Sequence, residues 1–403
     1  MNRDPLLAQE KHGFTRVDAP CQYFGACGGC ALQDLSYPDQ LTLKRRRIEE
    51  ALVSLGSLPP LEIIGLEEPW RYRNKAELSF GAEGGRLLLG YHVRGSFWRV
   101  IDLEDCLLLP EPAMRVLREA RELAEQTGYA AYRPKTHQGV WRYLTVRASR
   151  ATGQVLLCLI TSSGALEEIM RRMTRELMAR HPVLVSVYWG LTDKLADIAV
   201  PERLIRLGGA EFLEDQLGPF RVQLHPLSFL QPSSVQADRI YALLAEELGA
   251  APEGVAWDLY CGLGLISLYL SPRVRKIYAI DIEPHHLEWS VRNAALNACS
   301  NIEFRLGSVE ALLMDRRFWL GEAKPDAIIV DPPRAGLHPQ AIASILAARP
   351  KHLAYVSCNV QSLCRDLQAL VRGFPRYRLR FLRAFDMFPQ THHVETLAIL
   401  DRV

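Results

Sequence analysis

The chain has 403 residues and no apolar run of membrane-spanning length, because Arg, Asp, Glu or Gln interrupts every hydrophobic stretch. Residues 1–7 also lack the apolar segment of a secretory signal. No internal repeat and no low-complexity tract is present. These absences argue against a membrane partner and against a repeat architecture, and they predict a cytoplasmic protein. The length predicts two or three domains.

A strong excess of either charge is also lacking, since 48 Lys and Arg residues stand against 46 Asp and Glu residues, a net charge of +2. RNA binding would therefore need a local basic surface. Three short segments could supply it: Lys44–Arg47, Arg71–Lys75 and Arg376–Arg380. Each of them, taken singly, is more typical of a solvated surface.

Nine cysteines are present, and in a reducing compartment they indicate metal binding or catalysis rather than a disulfide framework. Cys21, Cys27 and Cys30 lie close together in a glycine-containing segment. A metal site would need a fourth ligand, and Cys106 is the next cysteine along the chain. Four thiolates suit either an iron–sulfur cluster or a structural zinc ion, and the residues alone leave both alternatives open.

From about residue 256 onward, short β-rich runs alternate with helical patterns, which predicts an α/β fold with a parallel sheet and helices on both faces. The predicted strands are 256–261, 276–282, 302–308, 327–331, 352–357, 379–385 and 395–400. The connection 386–394 is too short for a crossover helix. The last two strands should therefore pair antiparallel at an edge of the sheet.

Residues 61–225 show alternating apolar patterns between turn residues. They predict a smaller α+β domain with a mainly antiparallel sheet and a helix at Leu166–Arg180. A further helix at Asp39–Leu52 should pack on the C-terminal domain. The predicted organisation is a cysteine loop at 1–35 that is completed by Cys106, a packing helix at 36–60, a central RNA-binding domain at 61–225 and a catalytic domain at 226–403.

The segment Asp258–Gly264 follows a strand and precedes a helical pattern, where glycines let the backbone approach a ligand. Asp281 closes the next strand and could accept hydrogen bonds from ribose hydroxyls. An ordinary turn is the plain alternative. Ser267 replaces the third glycine of the dinucleotide-binding pattern, so the spacing favours S-adenosyl-L-methionine over a dinucleotide.

Three further positions at strand ends could carry chemistry. Asp331 begins a rigid Asp-Pro-Pro-Arg segment, and its carboxylate is expected near the sulfonium and the target base. Cys358 follows a strand, and a thiolate with a lowered pKa could act there as a nucleophile. Glu395 begins the last strand and could be the base that carbon methylation needs. A buried core cysteine and a solvated edge glutamate are the ordinary alternatives.

These residues resemble the RNA 5-methyluridine methyltransferases, in particular the bacterial ribosomal RNA members that carry a [4Fe-4S] cluster. The resemblance covers nearly the whole chain and rests on Cys21–Cys30, Trp70–Lys75, Ser228–Gln231, Asp258–Gly264, Asp331–Arg334, Ser357–Asn359 and Met387–Glu395. It implies a Rossmann-like class I SAM-dependent methyltransferase domain that methylates C5 of a uridine, most of all in 23S rRNA. The N-terminal RNA-binding barrel of some members is expected to be absent.

The resemblance also implies roles for individual residues. The expected [4Fe-4S] ligands are Cys21, Cys27, Cys30 and Cys106, and the expected cofactor contacts are Gln231, Tyr260, Asp281, Ser308 and Asp331. Cys358 is expected to add to C6 of the uracil, and Glu395 to remove the C5 proton. Two positions depart from residues frequent in the family: Ser233 stands in place of Asn, and Leu265 in place of a polar residue.

Several alternatives stay open at this point. Cytosine C5 methylation uses the same thiol chemistry, and transfer RNA could be the substrate instead of ribosomal RNA. The protein could also be an RNA-binding or assembly factor on a catalytic fold that is not used, because a fold alone does not determine activity. In each enzymatic case the target base has to leave its stack, which favours a loop or bulge nucleotide. A monomer is expected.

Overall fold

The structure is a computed structural model that describes residues 11–196, 198–315 and 324–403. The first half of the chain contains α1 (Tyr37–Leu52), β1 (Glu62–Ile64), β2 (Lys75–Glu83), β3 (Arg86–Gly90), α2 (Glu111–Gln126), β4 (Trp141–Ala148), β5 (Val155–Thr161), α3 (Glu167–Arg180), β6 (Leu184–Leu191), β7 (Arg203–Gly209), β8 (Leu213–Leu217) and β9 (Phe220–Leu224). The second half contains α4 (Ser234–Leu248), β10 (Ala251–Leu259), α5 (Leu265–Leu270), β11 (Val274–Asp281), α6 (Pro284–Leu296), β12 (Ile302–Leu306), α7 (Val309–Met314), β13 (Ala327–Val330), α8 (Pro339–Ala348), β14 (His352–Ser357), α9 (Val360–Arg372), β15 (Tyr377–Phe385) and β16 (Glu395–Arg402).

Eight strands form one sheet in the order β1-β15-β16-β14-β13-β10-β11-β12. The strands from β14 to β12 in that order are parallel, whereas β16 is antiparallel to both β14 and β15. Helices cover both faces, so successive side chains of one strand enter different cores. Ala256 of β10 packs in the cluster that contains Ile240 of α4, and Trp257 packs in the cluster that contains Leu367 of α9.

The predicted α/β architecture is confirmed, and one detail is corrected. The strands β15 and β16 pair antiparallel as predicted, because the short connection between them reverses the chain, and the sheet is therefore mixed. They do not, however, form the edge of the sheet. The short strand β1 pairs parallel with β15 outside them, although the predicted central domain includes its residues.

A second sheet of six strands has the order β3-β2-β4-β5-β6-β7 and is antiparallel except between β5 and β6, which α3 connects. One face packs on α2 and α3 around Leu78, Leu117, Leu144 and Leu177. The strands β8 and β9 form a separate hairpin. The mainly antiparallel pattern and the helix predicted at 166–180 are both present, the helix as Glu167–Arg180.

The helix α1 packs on the catalytic side of the molecule, as the sequence predicts. Its residues Ile48 and Leu52 are fully buried in the cluster that contains Trp257 and Leu363. Its start is set by Ser36, whose hydroxyl accepts a hydrogen bond from the backbone N–H of Asp39. Across the described parts of the chain, no helix has both the length and the apolar character to cross a membrane.

Candidate active site

The carboxyl ends of β10, β11, β13 and β14 border one cavity of about 430 Å³, the position where open α/β sheets bind ligands. Six of the residues that the sequence predicts for cofactor binding or catalysis line it: Gln231, Tyr260, Asp281, Asp331, Cys358 and Glu395. Ser308 is not in the lining. It follows β12 and caps α7, because its hydroxyl accepts a hydrogen bond of 3.1 Å from the N–H of Ala311.

The turn between β10 and α5 shapes one wall of this cavity. Tyr260 has a φ of 63°, a left-handed conformation that side chains rarely adopt, and its hydroxyl donates a hydrogen bond of 3.0 Å to Glu310. Gly264 has a φ of 70°, and a Cβ atom there would lie 2.8 Å from the Phe304 ring. Only glycine fits this position, so the backbone can turn directly in front of the cavity.

Asp281 presents an ionised carboxylate at the end of β11. Its oxygens accept hydrogen bonds from the N–H groups of Gly262 at 2.8 Å and Glu283 at 2.9 Å, and His286 lies 3.3 Å away. Burial alone would raise the pKa of Asp281, but these hydrogen bonds and the charge of His286 hold it below its ordinary value. A ribose hydroxyl would meet a charged acceptor here.

Asp331, which directly follows β13, borders the same cavity and ionises less readily than Asp281. Burial, followed by the charge of Asp258, raises the pKa of Asp331 to about 7, although a hydrogen bond from Gln231 opposes this shift. Burial likewise raises the pKa of Asp258 to about 7 despite the hydroxyl of Ser267, which donates to it at 2.6 Å. Asp331 and Asp258 are therefore two neighbouring acids, and each makes it harder for the other to ionise.

Cys358 directly follows β14 and precedes α9, which Asn359 caps by accepting a hydrogen bond from Gln361. The Asn359 side chain also donates to the backbone oxygen of Arg334 at 2.9 Å, which ties the Asp-Pro-Pro-Arg segment to the cysteine. The sequence predicts a lowered pKa for the Cys358 thiol, and the structure does not show one. Burial, and then the charges of Glu395 and Asp331, raise the pKa of Cys358 to about 11, against an opposing effect of Arg334.

Glu395 is the first residue of β16 and is fully buried at the cavity. Neither of its carboxylate oxygens has a hydrogen-bond partner among the residues that the structure describes. Burial, followed by the charge of Asp331, raises the pKa of Glu395 well above its ordinary value. A buried carboxyl group without partners is costly, so this side chain is held ready for a group that enters the cavity.

The segment 386–394 carries Glu395 into place and is anchored by α1. Lys44 of α1, fully buried, donates to Asp386 at 2.5 Å and to the backbone oxygen of Phe388 at 3.1 Å. Gln40 of the same helix donates from its amide to the Gln390 side chain at 2.9 Å. The helix that the sequence places outside the catalytic domain thus supports its active-site loop.

Several lining residues were not assigned a role from the sequence. Phe229, Arg334, His286 and Phe388 all border the cavity, and the ring of Phe229 is 53% exposed. Phe229 lies in the motif Ser228–Gln231 and Arg334 in the motif Asp331–Arg334, so their positions within these motifs could have indicated a role at the site. His286 lies in the first turn of α6, and the short turn from β11 into this helix brings it to Asp281, five residues earlier in the chain.

The four cysteines predicted as metal ligands lie together in another region. Cys21, Cys27, Cys30 and Cys106 border one small cavity of about 20 Å³. Burial raises the pKa of Cys30 to about 12 and raises that of Cys106 as well. Among the residues that the structure describes, no three His, Cys, Asp or Glu side chains converge closely enough for a single metal ion.

Some side chains of the predicted basic segments form ion pairs within the protein. Lys44 is buried against Asp386, and Arg71 pairs with Asp105 at 2.8 Å. Arg380 contacts Glu247 at 2.7 Å and Asp401 at 2.9 Å. Lys44 is therefore corrected from a candidate RNA contact to a structural ion pair, whereas Arg71 and Arg380 are each 34% exposed and stay candidate RNA contacts.

Comparisons with known proteins agree with this geometry. A family model described as tRNA (Uracil-5-)-methyltransferase matches residues 215–403. An RNA methyltransferase of Halalkalibacterium halodurans, described as uncharacterized, is 32% identical over 390 residues, which cover 96% of this chain and 84% of the relative. A similarly described RNA methyltransferase of Listeria monocytogenes is 34% identical over 392 residues, with coverage of 96% and 84%.

A solved structure is similar over almost the same extent. The tRNA (uracil-54, C5)-methyltransferase of Pyrococcus abyssi, in complex with S-adenosyl-L-homocysteine, has a TM-score of 0.76 and 27% identity. The similarity covers 93% of this chain and 86% of that one. The protein is thus an S-adenosyl-L-methionine-dependent RNA methyltransferase, and it belongs to the RNA uracil-5-methyltransferase family.

Proposed function

We propose that this enzyme methylates C5 of a specific uridine through a transient bond between Cys358 and C6 of the uracil. The observation that carries the proposal is the convergence of a thiol, an unpartnered buried carboxyl group and an ionised ribose acceptor, Asp281, on one cavity. Gln231, Tyr260, Asp281 and Asp331 are the proposed contacts of S-adenosyl-L-methionine. Ser308 is a proposed contact from beyond the cavity lining. The cofactor supplies an electrophilic methyl group when it is bound.

The first step activates the pyrimidine ring. The sulfur of Cys358 adds to C6, and the electrons of the C5–C6 double bond move through C5 to the O4 carbonyl to give an enolate. Arg334 favours the thiolate, because its charge and hydrogen bond lower the pKa of Cys358. C5 then forms a bond to the methyl carbon as the sulfonium bond of the cofactor breaks.

The second step restores aromatic uracil. Glu395 takes the proton from C5, and the electrons left on C5 re-form the double bond as the C6–sulfur bond breaks. Burial and the charge of Asp331 raise the pKa of Glu395, so its ionised form accepts a proton more readily than a solvated carboxylate does. The sulfur then leaves as a thiolate, and Cys358 is ready for another turnover.

Two substitutions test this sequence of steps. Cys358→Ala should abolish methylation while leaving the binding of S-adenosyl-L-homocysteine unchanged, and normal turnover by this variant would refute the nucleophile. Glu395→Gln should allow bond formation but block its release, so protein–RNA adducts should survive denaturing electrophoresis and contain methylated uracil. A variant that turns over normally without accumulating adducts would contradict Glu395 as the base.

The same assays separate the remaining alternatives. Tritium release from RNA labelled at C5 of uridine identifies uracil methylation, and nucleoside analysis of the product distinguishes it from cytosine methylation. A binding or assembly factor without catalysis would release no tritium. We also propose that the enzyme is a monomer, which size-exclusion chromatography with light scattering tests.

For the target we propose a loop or bulge uridine of 23S rRNA. A uracil whose C6 must reach Cys358 inside the cavity has to leave its stack, which is easiest where it is unpaired. Transfer RNA is the competing substrate, since the similar Pyrococcus abyssi enzyme acts on uracil-54 of tRNA. Mapping 5-methyluridine in total RNA from a deletion strain should show loss of one 23S site, and loss of a tRNA site would refute this target.

We also propose that Cys21, Cys27, Cys30 and Cys106 hold a [4Fe-4S] cluster. In such a cluster each thiolate binds a different iron atom, so the sulfurs need not converge on one point as a zinc ion requires. Around this region the hydroxyl of Tyr91 and the Nε atom of Arg73 are buried without hydrogen-bond partners. The Arg73 guanidinium would offset the negative charge of a cluster with four thiolate ligands.

The cluster is tested on protein purified without oxygen. Iron, sulfide and zinc contents and the visible absorption spectrum distinguish a cluster from a zinc ion. Cys106→Ser should lose iron and sulfide, and Cys299→Ser, which changes a cysteine outside the group, should retain them. Stoichiometric zinc without sulfide in the unsubstituted protein would overturn the assignment.

A further inference from the structure

The part of the chain around β3, β4 and β5 is strongly asymmetric in charge, although the whole protein is nearly neutral. The two segments 86–101 and 127–166 contain eight Lys and Arg residues and no Asp or Glu. Both segments meet at the six-stranded sheet, on the face opposite α2 and α3. An anionic polymer would therefore find a local attractive field on this face.

This basic region also exposes aromatic rings. A groove of about 370 Å³ is bordered by Ser79, Gly81, His92, Phe97, Trp98, Tyr132, Arg133, Lys135 and Tyr143, among others. Phe97 is 82% exposed and Trp98 is 57% exposed. The ammonium of Lys135 lies 4.6 Å from the centre of the Trp98 ring. Rings of this size are seldom left in water unless they meet a ligand.

A second cavity lies between this groove and the active site. It also measures about 370 Å³, and its lining includes Lys75, Glu77, Thr145 and His286. His286 borders the active-site cavity as well. At the other end, β2 and β4 place Glu77 beside Thr145 and, one step along the strands, Ser79 beside Tyr143 of the groove. The active-site cavity, the second cavity and the groove therefore follow one another as a route along the six-stranded sheet.

A buried cation lies along this route. Arg147 pairs with Lys75 across β2 and β4 and is 1% exposed. Two of its guanidinium nitrogens have no hydrogen-bond partner in the described part of the chain. The positive charge of Lys75 is offset by the Glu77 carboxylate, which lies 2.6 Å from the ammonium group. A second acid, Glu283, also borders the second cavity. Acidic side chains thus occur at the middle of the route but not in the aromatic groove. The groove is the better place for phosphates, and the middle of the route for a neutral base or a sugar.

We propose that Phe97 and Trp98 form a stacking platform for unpaired bases of the substrate RNA, with Arg133 and Lys135 contacting the adjacent phosphates. The inference rests on the proposed function only in taking RNA as the substrate. Stacking on aromatic rings beside cations is the common way to bind single-stranded RNA without reading each base edge. The seven residues from Lys75 to Gly81 span roughly 20 Å along β2, enough for several nucleotides between the target uridine and the platform.

The test compares two lengths of RNA in a fluorescence anisotropy titration. One probe is a single-stranded oligoribonucleotide of about twelve nucleotides with a central uridine, and the other has about three nucleotides around the same uridine. Phe97→Ala/Trp98→Ala should weaken binding of the long probe about tenfold to a hundredfold, which corresponds to the loss of one or two stacked bases. Binding of the short probe and of S-adenosyl-L-homocysteine should not change. Val53→Ala removes an exposed apolar side chain at another place and should have no effect.

The outcomes separate this proposal from the proposed reaction. If the double variant binds the long probe with unchanged affinity, the stacking platform is refuted, whatever the methylation assay shows. The exposed rings would then be assigned to a protein partner. Equal weakening for both probes also overturns it, because the effect would then lie at the active site. Selective loss for the long probe, with no tritium release from any substrate, supports the platform and refutes only the proposed reaction.

Discussion

At the residue scale, the active site groups a thiol and acids that are each harder to ionise than in water. Burial is the main cause for Cys358, Asp331 and Glu395 alike, and mutual repulsion adds to it. Ionisation of one group therefore opposes ionisation of the next. The free enzyme keeps its thiol largely protonated, and the reactive thiolate depends on the balance between Arg334 and the acids.

This balance predicts the reactivity of Cys358 toward iodoacetamide. Because its pKa is raised to about 11, the rate of alkylation should still rise about tenfold per unit between about pH 7 and about pH 9. Glu395→Gln removes a negative charge and should increase the rate at about pH 8, whereas Arg334→Met should decrease it, each by about threefold to tenfold. Mass spectrometry of the peptide that contains residue 358 measures this, and a shift of both variants in the same direction would contradict the electrostatic account.

Asp258 predicts a pH dependence of stability. Its pKa rises from an ordinary 3.8 to about 7 in the folded protein, because burial disfavours the charge. A raised pKa stabilises the fold below the unfolded value, and this contribution is lost as the pH increases through the folded value. The free energy of unfolding from urea titrations should therefore fall less between about pH 4 and about pH 7 in Asp258→Asn than in the unsubstituted protein. Asp193→Asn, at a surface carboxylate with a lowered pKa, should keep the original slope over this range.

At the element scale, α1 and the loop 386–394 behave as one unit because a buried ion pair joins them. Lys44 and Asp386 are both fully buried, so either charge left alone would remain in a medium of low polarity. The loop reaches Glu395 only after this anchor. The position of the proposed base thus depends on a helix more than three hundred residues away in sequence.

Lys44→Met should reduce the free energy of unfolding by about 3–5 kcal/mol, because it leaves Asp386 buried without its cation. Lys44→Met/Asp386→Asn should recover a large part of this loss, since no charge then remains unpaired. Arg45→Met on the exposed side of α1 removes only a surface pair with Glu49 at 3.6 Å and should cost at most about 0.5 kcal/mol. Equal stabilities of the two Met variants in urea titrations would show that the buried pair is not what anchors the loop.

The turn between β10 and α5 provides a second test at this scale. Gly264→Ala combines a left-handed φ of 70° with a Cβ atom 2.8 Å from the Phe304 ring, while Gly262→Ala meets a φ of 53° but open space. Gly262→Ala should therefore cost about 1–2 kcal/mol of unfolding free energy, and Gly264→Ala distinctly more. Calorimetric titration with S-adenosyl-L-homocysteine should show the larger loss of affinity for Gly264→Ala. The reverse order would mean that the Phe304 ring moves aside.

At the scale of the whole molecule, the cysteine loop lies between the two sheets. The N–H of Gly28 donates to the backbone oxygen of His92 at 3.1 Å on the side of the six-stranded sheet. The N–H groups of Ala31 and Leu32 donate to the backbone oxygen of Gln390 at 2.8 and 2.9 Å on the catalytic side. A metal group that orders this loop would therefore also order the segment that leads to Glu395.

Loss of the metal group should loosen both contacts together. In Cys106→Ser, amide hydrogen exchange should become faster in residues 21–35 and in 386–394, because their shared hydrogen bonds open more often. Cys299→Ser should leave both segments as they are. Faster exchange limited to residues 21–35 would show that the loop does not hold the catalytic segment in place.

Much of the catalytic half could be predicted from the sequence. Apolar runs between helical patterns indicate the strands, and residues that directly follow such runs must lie at one edge of the sheet, as Asp281, Asp331 and Cys358 do. Lys44 could not be assigned in this way. Its importance comes from a contact with Asp386 that the chain makes only after it has folded back on itself. His286, by contrast, lies only five residues from Asp281, and a local reading of the turn after β11 could have found it.

The amino-acid sequence by itself determined the types of reactive group, their order along the chain and the strands that present them, because side-chain periodicity and strand ends are local properties. The tertiary structure decided the pKa directions, the pairing of β1 with β15 and the groove that Phe97 and Trp98 border. Burial and the distance between charges arise only when distant segments pack together. A thiol expected to be acidic could therefore turn out to have a raised pKa.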